Sequence, residues 1–261
     1  MTDFDQYYDD LRALGDDTTL AGWRHPLEQA LRFELAMEAL PPEVHHGSWL
    51  DVGCGPGGLP RYLSDTGRVP ATYLGIDRYA PSIERARSLC PEFFFAHQDV
   101  FEAQGQFDVV VAIGAAVCGV PRGRDDFARR QHIARLLRKL LELSTQHVCL
   151  ILLNQDAIRR DPWLAREHAL IGLTRAEVAA LRRVLERQAP EWRWRERWDA
   201  LTTDVVLHLR RGADPAAPAA RFAAHERVLT GPWAEGVEQE RRAWLWMISG
   251  APDRAAAVWS G

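Results

Sequence analysis

A doubly wound α/β sheet, mostly parallel with an antiparallel closing strand, is the fold this sequence predicts. Three observations carry the prediction. Short apolar runs recur between residues 48 and 154 without strict polar–apolar alternation, so the strands are buried on both faces. Helical stretches separate the runs, and strand–helix alternation builds a single parallel sheet with helices on both faces. The first run ends in a glycine-rich turn, Gly53 to Gly58, that opens the next helix.

Each element follows from its residues. Residues 1–25 are polar and aromatic, with Phe4, Tyr7, Tyr8 and Trp23. Pro26 suits the first turn of a helix, Pro41-Pro42 ends it, and Leu27, Leu31 and Leu35 give it one buried face. Strands are predicted at Trp49 to Val52, Thr72 to Ile76 (ending at Asp77), Glu92 to Ala96 (ending near Asp99), Phe107 to Ile113, and Val148 to Leu153. Pro81 opens a helix after Asp77. The stretch Arg129 to Ser144 is a second helix, with Ile133, Leu136, Leu137, Leu140 and Leu141 on one face.

After Asn154 a polar, helix-rich stretch runs to Gln188, and Trp192 to Trp198 and Thr203 to Leu209 then alternate as a closing antiparallel pair. Arg211-Gly212 ends the sheet, residues 213–220 read as an Ala/Pro linker, and a helical tail carries Trp233, Trp244, Trp246 and Trp259. The predicted division is an N-terminal helical strap or lid (1–47), the sheet domain (48–211), and a linker with helical extension (212–261). An exposed tryptophan cluster in that extension would serve self-association or a protein contact.

Composition narrows the function. The chain has 261 residues, 47% of them hydrophobic, and a net charge of −4, which suits a soluble globular domain and disfavours a dedicated nucleic-acid binder. Cys54, Cys90, Cys118 and Cys149 form no CxxC pair, so no zinc site is expected, and the apolar or Gly-rich surroundings of three of the four suit reduced thiols in a cytoplasm. The acidic N-terminus is no signal peptide, and the longest apolar run, Val109 to Val120, spans 12 residues and is too short for a membrane.

The chemistry concentrates at Trp49-Leu50-Asp51-Val52-Gly53-Cys54-Gly55-Pro56-Gly57-Gly58. Gly53, Gly55 and Gly58 satisfy the G-x-G-x-x-G dinucleotide pattern, which alone is weak evidence. Asp51 discriminates. A carboxylate there repels a pyrophosphate and attracts a cation, and S-adenosylmethionine carries an ammonium and a sulfonium but no phosphate. Asp77, 20 residues beyond Gly57, is placed to accept both ribose hydroxyl protons, or else to cap the following helix.

Leu50-Asp51-Val52-Gly53-Cys54-Gly55-Pro56-Gly57 resembles motif I of the class I S-adenosylmethionine-dependent methyltransferases. Asp77 matches their ribose-binding acid, Gln98-Asp99-Val100 the segment whose acid meets the adenine amino group, and Phe107 to Val111 their fourth strand. The resemblance spans residues 48–154 and, by pattern only, 193–210. It implies a Rossmann-like methyltransferase sheet binding S-adenosyl-L-methionine. It also implies that Asp51 faces the methionine ammonium, that Gly53, Cys54 and Gly55 pass beneath the cofactor, and that Ile113 and Gly114 line its methionine half. Arg78 and Val100, beside the two acids, join the cofactor set. Arg32, 19 residues before Asp51, either pairs with the cofactor carboxylate or is an ordinary helix arginine.

No general base is marked. Ile113-Gly114-Ala115-Ala116-Val117-Cys118 stands where amino-group methyltransferases carry an Asn-Pro-Pro-Tyr type motif, so amino-group methylation of bases or glutamine is disfavoured. Asn154 is the better candidate for an acceptor contact, or it caps the next helix. Tyr7, Tyr8, Trp23 and His25 suit a lid over the ligand or a strap on the sheet, and an aromatic there would suit a sulfonium. The predicted function is methyl transfer to the O, N or S atom of a small molecule. The alternatives are an RNA or protein methyltransferase, a non-catalytic cofactor-binding scaffold and, least favoured because of Asp51, a nicotinamide oxidoreductase.

Overall fold

Strand β1 (Ser48–Val52) is the pivot of a seven-stranded sheet of order β3-β2-β1-β4-β5-β7-β6. The computed structural model describes residues 8–10, 12–13, 23, 25–115, 126–160, 172–198 and 203–212. Strands β2 (Thr72–Asp77) and β4 (Phe107–Ile113) flank β1 in parallel, β3 (Phe94–His97) extends one side, and β5 (Ser144–Leu153) the other. Strand β7 (Asp204–Arg211) inserts antiparallel between β5 and β6 (Trp192–Arg197). The predicted doubly wound sheet and its antiparallel closing strand are thus both present. Successive strands are added on one side of β1 up to β3 and on the other side from β4 onward, so the crevice at the C-terminal ends of β1 and β4 is the topological switch point where such sheets bind ligands.

Side-chain alternation feeds two cores. Trp49, Tyr73, Val109, Val111, Cys149 and Ile151 pack beneath α1 (Pro26–Ala39), α2 (Gly58–Asp65) and α3 (Ala80–Leu89). Leu50, Ile76, Val110, Leu150 and Leu207 pack against α4 (Asp126–Leu143) and α6 (Arg175–Gln188). A single-turn helix, α5 (Gln155–Ile158), follows β5. Thr174 and Glu177 close a capping box at the start of α6, which fixes its entry into the second core.

Several boundaries differ from the sequence reading, and at β3 and β5 the local reason is visible. The Phe93 N–H donates to the Cys90 carbonyl in a turn, so β3 starts at Phe94 rather than Glu92. Strand β5 begins at Ser144, four residues before Val148: Ser144 pairs with Phe107, Thr145 and Gln146 donate to the Asp108 carboxylate across a bulge, and pairing resumes at His147 and Val109. Helix α4 opens at Asp126 rather than Arg129.

Helix α1 was expected to bury one face, yet Leu27 through Met37 are all buried. Its polar residues are accommodated by partners. Glu34 accepts from the Tyr62 hydroxyl at 2.6 Å and pairs with Arg68, while Arg32 pairs with Asp204. This helix belongs to the first core although it lies in the predicted 1–47 strap. Among the described residues no helix is long and apolar enough to cross a membrane. Tyr7, Cys118, the linker and the tryptophans of the C-terminal extension lie outside the described residues.

Candidate active site

The glycine loop turns because three of its residues adopt backbone that L side chains avoid. Gly53, Gly55 and Gly57 have φ of 73°, 53° and 85°. The Gly53 and Cys54 N–H groups both donate to the Ile76 carbonyl, at 2.8 and 3.1 Å, which holds the loop to the end of β2. Gly57 is the N-cap of α2 and supplies no side-chain acceptor. The space beside Gly53 is taken by the chain itself: a Cβ there would lie 2.1 Å from the Ala115 Cβ. Sequence reasoning linked that glycine to ligand approach, whereas a neighbour after β4 also requires it.

Asp51 and Asp77 meet at this loop. Asp51 is 3% exposed and accepts from the Tyr73 hydroxyl at 2.6 Å. Burial pushes its carboxyl up to about 7, the Tyr73 hydrogen bond opposes that, and Asp77 adds to it. Asp77 accepts from the backbone N–H groups of Gly55 and Tyr79, both at 2.9 Å. Burial also raises its carboxyl, against the pull of those N–H groups. Tyr73 was missed in the sequence because its link to Asp51 is a cross-strand contact invisible to motif spacing. Burial raises the Cys54 thiol as well, followed by the Asp51 and Asp77 charges, so Cys54 is a packed thiol and no nucleophile.

The remaining predicted residues line the same rim. Asp99 accepts from the Phe101 N–H at 2.9 Å, capping a short turn, and lies 3.2 Å from the Arg78 Nε. His97 Nε2 meets the Arg78 carbonyl at 3.0 Å, and Val100 is buried in the second core. Phe101 lies under the Arg135 guanidinium at 4.1 Å and edge-on to His132. Ile113 ends β4, and Gly114 follows with φ 78° and its N–H on the Ile151 carbonyl at 3.1 Å.

Arg32 is seated differently from the cofactor-carboxylate role. Its Nε and Nη2 donate to the two Asp204 oxygens at 2.9 and 2.7 Å, and Nη1 reaches the Glu28 carbonyl and carboxylate, both at 3.2 Å. Burial weakens its charge, and the Asp204 and Glu28 carboxylates more than restore it. Asp204, unmarked in the sequence, sits at the start of β7 and also accepts from the Thr203 hydroxyl at 2.7 Å. Asn154 accepts from the Asp156 and Ala157 N–H groups, so it caps α5. His25 caps α1 through Nδ1. No cluster of three or more potential metal ligands occurs among the described residues.

Among the described contacts of Asp51 and Asp77, the hydrogen bonds come from a hydroxyl and backbone N–H groups, and neither carboxylate has a salt-bridge partner. A buried acid and a half-buried one at a glycine turn oppose a pyrophosphate and suit a cationic nucleoside.

Residues 23–116 match the family model described as Methyltransferase domain. The fold is similar to magnesium protoporphyrin IX methyltransferase (ChlM) from Synechocystis PCC 6803 with bound SAM (14% identity, TM-score 0.51, covering 80% of this chain and 95% of that one). It is also similar to the plantazolicin methyltransferase BpumL in complex with SAH (15% identity, TM-score 0.59, 80% and 94% covered). A third similar structure is the methyltransferase domain of bacterial CtHen1-C (16% identity, TM-score 0.51, 70% and 100% covered). No curated protein matches the chain in sequence. Residues 23–116 thus match a methyltransferase domain, on a fold shared with methyltransferases solved with SAM or SAH bound.

Proposed function

We propose that the protein is an S-adenosylmethionine-dependent methyltransferase and that it methylates a small molecule at an oxygen, nitrogen or sulfur atom. The observation that carries this is the rim beyond β4: Ile113, Gly114 and Ala115 are small or apolar and offer no side-chain amide or hydroxyl to grip an amino group on a base or glutamine. The net charge of −4 supports the same reading, because a polyanionic acceptor would meet repulsion. Two of the similar structures are methyltransferases named for a porphyrin and for plantazolicin, which favours acceptors of limited size.

In this reading Asp77 holds the ribose hydroxyls, Asp51 the ammonium, and Asp99 the adenine amino group. Gly53, Cys54 and Gly55 form the floor beneath the cofactor. Val100 and Arg78 flank the adenine end, and Ile113 and Gly114 the methionine arm. The cofactor supplies an electrophilic methyl group on a sulfonium that leaves readily. The protein's part is to align the acceptor in line with the bond that breaks and to exclude water. A general base is required only for an acceptor protonated at neutral pH.

The test is transfer of a labelled methyl group from S-adenosylmethionine into a fractionated cell extract. Label in the low-molecular-mass fraction is expected. Label lost on RNase or protease digestion of the macromolecular fraction would overturn the small-molecule reading.

A further inference from the structure

Trp23 lies at the end of β4, where nothing in the sequence pattern anchors it. A Cβ on Gly114 would lie 2.8 Å from its Cη2 and 2.9 Å from its Cζ2, so the six-membered ring of the indole occupies the side-chain space that Gly114 leaves. The Arg32 guanidinium lies 4.7 Å from the same indole. Arg32 is in turn fixed by Asp204 and Glu28, and all three side chains are nearly inaccessible. A planar guanidinium locked by two carboxylates is a rigid platform for an aromatic ring. The platform carries one positive and two negative formal charges, so a net negative charge stands beside the indole. Trp23 itself is only half-buried.

We propose that Trp23 is a binding residue for the amino-acid arm of the cofactor and that Arg32 is its positioning residue, rather than a direct ligand of the cofactor carboxylate. The inference rests on the cofactor assignment given above, in which Gly114 borders that arm. The indole replaces a side chain at 114 as the wall of the arm's channel. The buried ion cluster fixes its orientation.

The experiment is calorimetric titration with S-adenosylhomocysteine and with 5′-methylthioadenosine, which retains the adenosyl sulfur and lacks the amino-acid arm. The ratio of the two dissociation constants reads the arm alone. Trp23→Ala is expected to weaken S-adenosylhomocysteine roughly tenfold and leave 5′-methylthioadenosine unchanged, with Trp23→Phe recovering most of the loss. Arg32→Lys keeps the charge and loses the planar stack, so its ratio falls between wild type and Trp23→Ala. Asp77→Ala weakens both ligands and preserves the ratio. An unchanged ratio in Trp23→Ala overturns the proposal while leaving the cofactor assignment intact. Wild-type protein that binds neither ligand overturns the cofactor assignment and this proposal with it.

Discussion

Asp51→Asn should make the ligand-free protein more stable at neutral pH while impairing its binding of cofactor. Burial raises the Asp51 carboxyl from 3.8 to about 7. A raised carboxyl holds its proton in the folded state when the unfolded chain has already lost it. Stability from this group is therefore full below about pH 4 and is lost as pH rises toward 7. At about 1.4 kcal/mol per decade, that gap costs about 4 kcal/mol once Asp51 is ionised. Asparagine keeps an acceptor for the Tyr73 hydroxyl and removes the charge. Its amide donors, left without partners, cost about 1–3 kcal/mol. About 2 kcal/mol remains, a rise in Tm of roughly 4–8 °C for a domain of this size.

The assay is thermal unfolding of wild type and variant from pH 4.5 to 8. The difference between the two proteins should move in favour of the variant as pH rises and level off above about 7. S-adenosylmethionine should reverse the order at pH 8, because its ammonium neutralises the native carboxylate. Binding to wild type should tighten up to pH 7 and release a proton. A pH-independent difference, or a variant less stable than wild type at pH 8, would refute the reasoning.

Other perturbations read other parts of the structure. Asp204→Ala strands the buried Arg32 charge and should cost about 3–5 kcal/mol by chemical denaturation, whereas a surface pair such as Arg182–Glu186 should cost under about 1 kcal/mol. Gly53→Ala forces a Cβ to 2.1 Å from the Ala115 Cβ at φ 73° and should abolish cofactor-induced stabilisation; Gly67→Ala, at φ 68° with nothing within 4 Å, should cost only about 1 kcal/mol and leave binding intact. His147 and His208 stack with rings 5.2 Å apart and are hydrogen-bonded at 2.9 Å. Burial lowers them to about 4 and about 3, helped by Arg210 and, at His208, by the other histidine and Arg195. The unfolded chain takes up protons first, so stability should fall as pH drops below about 6.5, and His208→Gln should flatten that acid limb.

Sequence legibility followed locality. Strand β4 has the predicted limits, and the glycine loop with its two acids came from spacing, because a strand end, a turn and a helix start are neighbours in the chain. Trp192 and Trp194 also face the second core as their alternation implied, with Arg193 exposed. What was illegible depended on distant partners. Arg32 looks like any helix arginine until Asp204, 172 residues away, is brought beside it. Tyr73 becomes relevant only because β2 lies in register with β1. The burial of α1 on all sides is a property of the assembled layers, so its leucine spacing revealed one face alone. Asn154 reads in sequence as a candidate for an acceptor contact or as a helix cap, and the backbone after β5 places its side-chain oxygen on the cap of α5.

The central claim is that the turn between β1 and α2, with Asp77, binds S-adenosylmethionine. Thermal unfolding of wild type and Asp77→Ala with S-adenosylmethionine, S-adenosylhomocysteine or NADH tests it most directly. At a hundredfold excess over the dissociation constant a ligand stabilises by about 2.7 kcal/mol, roughly 5–11 °C here. The account predicts that shift in wild type with both adenosyl ligands, its loss in Asp77→Ala, and no response to NADH. A shift with NADH alone, or the same shift in wild type and Asp77→Ala, would contradict it.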